Sequence, residues 1–164
     1  ICVLIINYII PMNITFHISE NCSKHVEPIL RALPEWFGIE EATVQYIKDA
    51  DTMPTMLAKD GDDVIGFITL HYHFSETVEM HCLGILPAYH RKGVGRQLVE
   101  AVESHLKIEG VKFLQVKTVS SDRDCKAYAK TREFYLGVGF TPLEIFPTLW
   151  DPANPCLLLV KSLQ

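Results

Sequence analysis

The stretch from Tyr89 to Leu106, YHRKGVGRQLVEAVESHL, places basic residues and two glycines directly before an amphipathic segment. Its apolar residues recur near the 3.6-residue helical period and its charged residues fall on the other side, which predicts a helix that begins close to Gly93 and Gly95. The first turn of a helix presents N–H groups without partners and the positive end of the helix dipole, and glycine lets a ligand approach that backbone closely. The sequence therefore predicts an anion-binding helix start, and a phosphate is the anion that suits it best.

The segments on either side of this helix are predicted to be strands. TVEMHCLGIL (77–86) precedes the helix, KFLQVKTV (112–119) follows it, and Gly110 is a typical residue at a helix end. A strand, a helix and a second strand in succession form a right-handed crossover, so the two strands should lie parallel in one sheet.

The rest of the chain predicts a mixed sheet with helices on both faces. Further strands are expected at 13–18, on both sides of the hairpin sequence KDGDD (59–63), at 140–146 and at 156–163, and further helices at 22–33, within 33–50 and within 122–138. The first helix should break at Pro28 and end at Pro34. We expect one α/β (α+β) domain over residues 12–164, with about seven mostly antiparallel strands in the order β-α-α-β-β-β-α-β-α-β-β. Residues 1–11 are expected to be an upstream extension rather than an added strand.

Composition and charge exclude several classes of protein. The 15 Lys and Arg against 20 Asp and Glu give a formal net charge of −5, whereas a nucleic-acid-binding chain needs a broad basic surface. The opening ICVLIINYII is shorter than a membrane span and lacks the basic flank and cleavage site of a signal peptide. The 5 cysteines are scattered and form no Cys-x-x-Cys pair, which favours a reducing compartment. We therefore expect no nucleic-acid or membrane partner and a cytoplasmic location.

Two common phosphate-binding motifs are absent from the chain: Gly-x-x-x-x-Gly-Lys-Ser/Thr does not occur, and Leu98 stands where the dinucleotide fingerprint needs a third glycine. What remains is the run HRKGVG (90–95) behind a strand and Leu86-Pro87, together with FYLGVGF (134–140) later in the chain. In these two motifs the chain resembles the GNAT family of acetyl-CoA-dependent N-acetyltransferases, and the resemblance extends over most of residues 13–162. The family usually has Arg or Gln where this chain has His90.

The resemblance implies that acetyl-CoA is the cofactor. In the family the strands corresponding to 77–86 and 112–119 splay apart, the pantetheine arm lies between them, and backbone N–H groups near Gly84 hold the acetyl carbonyl. We expect Gly84 to form a bulge that frees such donors. Tyr128 stands where many members have an asparagine that bonds the pantetheine. The residues expected to bind the cofactor are Leu83, Gly84, Ile85, His90, Arg91, Lys92, Gly93, Val94, Gly95, Arg96, Tyr128 and Thr131.

Acetyl transfer to an amine needs a proton acceptor for the amine and a proton donor for the departing thiolate. The resemblance to histone-acetylating members makes Glu79 the candidate base, directly or through water, with His81 as the alternative. Strand alternation predicts that Glu79, His81, Leu83 and Ile85 share one face. The resemblance also matches Tyr135 to the tyrosine beside the CoA sulfur, where a phenol with an ordinary pKa of about 10 can act as the acid.

The acceptor is expected to be a small-molecule amine. Trp36, Phe37 and Tyr46 lie among glutamates, a composition that suits a cation between aromatic faces, and Trp150-Asp151 adds a similar pair. A protein or peptide amine, or a non-catalytic acyl-CoA-binding domain, stay open as alternatives, and the protein is expected to be a monomer or homodimer. His71 and His73 share a strand face, but no Cys or Asp cluster completes a set of ligands, so we expect no metal.

Overall fold

The structure, a computed structural model, describes residues 12–164, so the predicted extension over residues 1–11 lies outside the described residues. The described part contains strands β1 (Ile14–Ser19), β2 (Thr55–Asp60), β3 (Asp63–Phe74), β4 (Thr77–Ile85), β5 (Phe113–Val119), β6 (Thr141–Asp151) and β7 (Asn154–Ser162), and helices α1 (Ser23–Arg31), α2 (Glu40–Thr52), α3 (Val94–Ile108) and α4 (Lys126–Gly137). The elements follow one another in the predicted order. None of the helices in this part of the chain has both the length and the apolar character needed to cross a membrane.

The strands form one sheet in the order β1-β2-β3-β4-β5-β7-β6. β4 and β5 pair in parallel, as the crossover through α3 predicts, and the other neighbouring pairs are antiparallel. The predicted hairpin joins β2 to β3 at Gly61, whose positive φ of 61° suits a tight turn. The predicted mixed, mostly antiparallel sheet is confirmed.

Two apolar cores lie on the two faces of the sheet. Consecutive β3 residues point to opposite faces, and Phe67 packs in the core covered by α1 and α2, whereas Ile68 packs in the core covered by α3 and α4. Within the predicted apolar face of α3, Ala101 is partly buried against the second core, and four residues are buried in it: Val94, Leu98, Val102 and Leu106. The helices therefore cover both faces, as predicted.

Helix α1 continues through Pro28, so the break expected at this residue is wrong. A proline inside a helix removes one N–H donor and costs stability. However, Val26, Ile29 and Leu30 around it are all buried, and each such side chain stabilises the fold by roughly 1.5–3 kcal/mol. Packing against the sheet therefore outweighs the lost hydrogen bond, and the helix ends at Arg31.

A bulge at His81 changes which side chains of β4 share a face. The β4 residues on either side of His81 pair with consecutive residues of β3, so His81 is an extra residue in the ladder. Glu79 and His81 both lie on the α2 side with Tyr46. Leu83 and Ile85 instead pack against the core beneath α3. The prediction that all four β4 residues share a face is therefore wrong for Leu83 and Ile85, because the extra residue inverts the alternation.

The bulge predicted at Gly84 is also wrong, because Gly84 pairs regularly with Phe67 of β3. A Cβ atom on Gly84 would stand 2.8 Å from the Phe67 ring and 3.0 Å from Cγ2 of Ile29 in α1. Glycine is needed at this position because α1 packs so closely against β4.

Candidate functional site

β4 and β5 separate along their length and leave a wedge-shaped gap, called the wedge below. Their parallel pairing ends at Met80 and Val116, although β4 continues to Ile85 and β5 to Val119. From His81 onwards, the edge of β4 that faces β5 has no strand partner within residues 12–164. The predicted splaying of these two strands is present, and it exposes backbone hydrogen-bonding groups along one wall of the wedge.

The start of α3 lies beyond the end of β4, at the open end of the wedge. Arg91 and Gly93 both have left-handed backbones, with φ of 59° and 80°, and no side chain in the described part of the protein caps the first turn of the helix. Alternating left- and right-handed residues direct successive N–H groups towards one side, which forms an anion-binding concavity. Together with the exposed Arg91 and Lys92, this loop has the geometry and charge of a phosphate site.

The two glycines of this loop are needed for different reasons. Gly93 takes a positive φ, and a Cβ on it would make only an ordinary contact, 3.7 Å from Gln97 Nε2, so conformation rather than packing selects glycine there. Gly95 is packed instead, because a Cβ on it would stand 3.1 Å from both Ile85 of β4 and Phe134 of α4. Gly95 therefore lets α3 begin close against both the end of β4 and α4.

The predicted phosphate-loop side chains His90 and Arg96 make internal contacts. His90 Nε2 donates to the Ile85 carbonyl at 2.7 Å, which ties the loop to the end of β4. Arg96 donates to the Gly137 carbonyl at 2.9 Å, which ties α3 to the end of α4. These side chains hold the loop in place, and the backbone N–H groups stay available to an anion.

Tyr135 of α4 is buried, with 5% of its surface exposed. Burial raises the pKa of its phenol, and the nearby Cys82 thiol and Tyr46 and Tyr128 phenols raise it further. Because its pKa is raised, the phenol is protonated at neutral pH. Its hydroxyl forms no hydrogen bond within residues 12–164, so it is available as a donor.

Trp36, predicted to contact the acceptor, lies instead against residues predicted to bind the cofactor. Its indole Nε1 donates to Thr131 Oγ1 at 3.0 Å, and the Tyr128 hydroxyl donates to the Trp36 carbonyl at 2.8 Å. Its ring also meets the His90 ring edge-on, with centroids 6.1 Å apart. The loop between α1 and α2 is thereby fastened to α4 and to the phosphate loop.

A cavity of about 330 Å³ lies at the closed end of the wedge, on the α2 side of the sheet. It is called the polar cavity below, and it is lined by Tyr46, His71, His73, Glu79, His81, Lys117, Leu149 and Trp150. Both candidate bases line it, and so does Tyr46, whose ring meets the predicted Phe37 edge-on at 6.0 Å. A larger depression of about 610 Å³ at the start of α1 contains none of the predicted site residues.

Glu79 accepts three hydrogen bonds at one oxygen of its carboxylate. Lys117 Nζ and His73 Nε2 each donate to Oε2 at 2.6 Å, and Gln115 Nε2 donates at 3.0 Å. Burial would raise the pKa of Glu79, but the hydrogen bonds from Lys117, His73 and Gln115 together hold it below its ordinary value. The carboxylate is therefore charged and well stabilised, which makes it a weak proton acceptor.

His81 is arranged differently, although it is only two residues away. Its Nε2 donates to Asp49 Oδ2 of α2 at 2.7 Å, and its ring packs edge-on against Tyr46. A carboxylate that holds the proton on Nε2 leaves the Nδ1 lone pair available. Nδ1 forms no hydrogen bond within the described residues, so His81 can accept a proton from a group in the polar cavity.

Sequence reasoning missed Asp49, Lys117 and the direct pairing of His71 with Glu79. These residues come from α2, β5 and β3, and they meet only because of the strand order and register. The His-Tyr-His spacing of residues 71–73 is visible in the sequence and indicates that two histidines share a strand face. That Glu79 pairs with His71 cannot be inferred from the sequence.

The acetyltransferase (GNAT) family model matches residues 24–134 of the 164-residue chain, whereas no curated protein matches. A solved GNAT-family protein from Desulfovibrio desulfuricans has a TM-score of 0.81 at 16% identity, over 92% of this chain and 99% of its own. A GNAT acetyltransferase from Elizabethkingia anophelis, solved with acetyl-CoA bound, has a TM-score of 0.71 at 21% identity, over 92% and 98%. An aminoglycoside 6'-acetyltransferase type Ii has a TM-score of 0.68 at 20% identity, over 90% and 97%. At these identities the structures show a shared fold.

Proposed function

The chain belongs to the GNAT acetyltransferase family, and from this premise we propose that it transfers the acetyl group of acetyl-CoA to a primary amine of a small molecule, by direct attack in a ternary complex. One observation carries the proposal. The wedge joins an uncapped helix start at its open end to a polar cavity at its closed end. A long cofactor and a small acceptor can therefore meet in one continuous gap.

Three features of the chain fit acetyl-CoA. The N–H groups of the loop from Arg91 to Arg96 suit its diphosphate. The unpaired edge of β4 offers its amide groups as a strand edge does to an extended peptide. Finally, Thr118 Oγ1, on the part of β5 beyond the last pairing, is buried without a partner among the described residues, as expected of a group that a ligand satisfies. When bound, acetyl-CoA supplies an activated acetyl thioester.

We assign proton acceptance from the amine to His81 in preference to Glu79. The Asp49 carboxylate fixes the tautomer and orientation of the His81 ring, whereas Glu79 already accepts three hydrogen bonds. The role of Glu79 is then to hold Lys117 and His73 in place at the floor of the polar cavity. Asp49 acts as a positioning residue for His81.

We assign proton donation to Tyr135. Its phenol stays protonated at neutral pH because burial raises its pKa. An acid of this kind can donate its proton to the departing thiolate as the carbon–sulfur bond breaks.

The polar cavity favours an amine with an apolar body as the acceptor. Tyr46, Leu149 and Trp150 supply apolar and aromatic walls, and the carboxylates of Glu79 and Asp49 are already paired within the protein. A cavity with so little unpaired negative charge suits one amino group better than the several cations of a polyamine. Its volume of about 330 Å³ is in the range of small-molecule sites, which favours a small molecule over a lysine on a protein surface.

A thiol-release screen tests this function. The chain is mixed with acetyl-CoA and with alkyl and arylalkyl monoamines, amino sugars, polyamines or peptides, and free thiol is measured. We expect the fastest release with a monoamine that carries an apolar body. Fastest release with peptides would contradict the small-molecule assignment. A melting temperature raised by acetyl-CoA, with no thiol release from any amine, would instead indicate a non-catalytic binder.

A further inference from the structure

Three side chains in the polar cavity have the arrangement of a metal-binding set, although they come from two strands. His71 and His73 are two residues apart on β3, and Glu79 of β4 stands directly opposite His71 in the ladder. The ligand atoms of these three side chains all lie within 4.8 Å of one another. The sequence pattern did not identify Glu79 as a third ligand, and the strand register places it beside the two histidines.

The backbone around this pair is shaped to bring side chains together. His73 is itself an extra residue, because the β3 residues on either side of it pair with consecutive residues of β4. The His81 bulge lies on the other side of the His71–Glu79 pair, so two bulges flank it. Bulges re-aim side chains next to sites. The His71 ring accordingly lies 4.3 Å from the His73 ring and 5.9 Å from the His81 ring, centroid to centroid.

Two imidazoles and one carboxylate are ligands that zinc and similar divalent ions prefer. Zinc–ligand bonds are about 2.0–2.2 Å long, so ligand atoms around one ion lie roughly 3–3.5 Å apart. The most widely separated pair of the present set, at no more than 4.8 Å, therefore needs to close by at most roughly 1.3–1.8 Å. The Glu79 side chain is 7% exposed and the His73 side chain 30% exposed, so the ion would be partly enclosed. The open side faces the polar cavity, which leaves a coordination position for water.

Lys117 supplies independent evidence that this position attracts a cation. Its ammonium nitrogen lies 2.6 Å from Glu79 Oε2, the same oxygen that His73 contacts. Lys117 is also 23% exposed, so its flexible side chain can turn outwards into the cavity. A divalent ion would take its place with a larger charge and with imidazole ligands that an ammonium cannot use.

We propose that a divalent transition-metal ion, with zinc as the probe, binds to His71, His73 and Glu79 and displaces the Lys117 ammonium from Glu79. This site goes beyond the proposed acetyl transfer and does not depend on it, because neither acetyl-CoA nor an amine takes part in the binding.

Calorimetric titration of the full chain with zinc alone tests the proposal. We expect one ion per chain, and His71→Ala or His73→Ala should weaken binding by more than about tenfold. The matched control is His17→Ala, an exposed histidine of β1 whose ring forms a hydrogen bond only with Thr15 among the described residues, and this variant should bind zinc as the unmodified chain does. Equal zinc affinity in the His71, His73 and His17 variants would overturn the site, as would the absence of binding to the unmodified chain.

A second variant changes the affinity in the opposite direction. Lys117→Met removes the competing ammonium and keeps an apolar stem of similar length, so zinc should bind several-fold more tightly than to the unmodified chain. A misfolded protein cannot produce this gain, and circular dichroism spectra confirm that the histidine variants are folded. Unchanged or weaker zinc binding by the Lys117 variant would overturn the proposed displacement.

Discussion

The two ends of the wedge are built from different kinds of interaction. At the open end, the start of α3 offers backbone N–H groups, and the side chains of His90 and Arg96 serve to hold that backbone. At the closed end, the polar cavity is formed by side chains from α2, β3, β4, β5 and β6. A backbone site tolerates exchange of its exposed side chains but requires its glycines, whereas a side-chain site depends on each individual residue.

The largest expected effect comes from Gly95→Val at the open end. The new side chain would collide with Ile85 and Phe134, each 3.1 Å from a Cβ at this position, and such overpacking costs about 1–3 kcal/mol. Because the first turn of α3 must then shift, we expect acetyl-CoA binding to be lost in calorimetry. The control is Gly137→Ala, whose added Cβ meets nothing within 4 Å. Undiminished binding by the Gly95 variant would show that acetyl-CoA does not bind at the start of α3.

The next effect belongs to Tyr135 of α4, which we assign as the proton donor. Tyr135→Phe keeps the buried ring and removes the hydroxyl, so acetyl-CoA binding should persist while thiol release slows. A general acid contributes about 100-fold to 10,000-fold to a rate, and we expect a loss near the lower limit because water can replace the acid in part. A full rate in the variant, measured at saturating acetyl-CoA, would show that another group protonates the thiolate.

His81→Ala should affect only the closed end. We expect thiol release to slow by about 100-fold with no change in the dissociation constant for acetyl-CoA. Asp49→Asn should give a smaller loss of about tenfold, because it leaves the imidazole in place and removes only its orienting charge. A change in acetyl-CoA affinity in either variant would mean that the two ends are not separate.

The contrast also explains what could be predicted from the sequence. The open end is encoded in one contiguous run, and the helical period and the glycines of residues 89–106 predicted where α3 begins and how the crossover runs. The parallel pairing of β4 with β5 followed from that crossover. Short-range physics governs these features, so a local pattern is sufficient.

The closed end could not be predicted in the same way. The bulge at His81 inverts the alternation of β4, and no residue of the local sequence marks it; Gly84, the residue expected to mark a bulge, is needed for close packing of α1 instead. The contacts of Glu79 with Lys117 and of His81 with Asp49 join residues 38 and 32 positions apart. Such pairs follow from strand order and register, which a single sequence does not display.

A smaller effect is expected from zinc, and it distinguishes the two ends kinetically. If zinc binds to His71, His73 and Glu79, it stands in the proposed acceptor cavity and leaves the α3 loop free. At a zinc concentration equal to its dissociation constant, the apparent KM for the amine should about double, while the KM for acetyl-CoA should not change. The His73→Ala variant should lose this inhibition. Competition between zinc and acetyl-CoA would instead place the inhibitory zinc at the open end of the wedge, away from His71, His73 and Glu79.

The smallest expected effect uses the two tryptophans of the chain, because one lies at each end. Trp36 donates to Thr131 beside the phosphate loop, and Trp150 lines the polar cavity. In Trp150→Phe the emission comes from Trp36 alone and should shift when acetyl-CoA is added. In Trp36→Phe the emission comes from Trp150 and should respond to the amine or to zinc, with little response to acetyl-CoA.

The Trp36→Phe variant also measures what the link between the α1–α2 loop and α4 contributes. It removes one hydrogen bond, worth about 0.5–1.5 kcal/mol, and keeps an aromatic ring against His90. If Trp36 belongs to the open end, the affinity for acetyl-CoA should fall by a few-fold and the KM for the amine should stay the same. The reverse pattern would return Trp36 to the acceptor site, where its sequence neighbours first suggested it. In that case the α1–α2 loop would contribute to amine binding although Trp36 is hydrogen-bonded to α4, and the acceptor site would extend from the polar cavity to this loop.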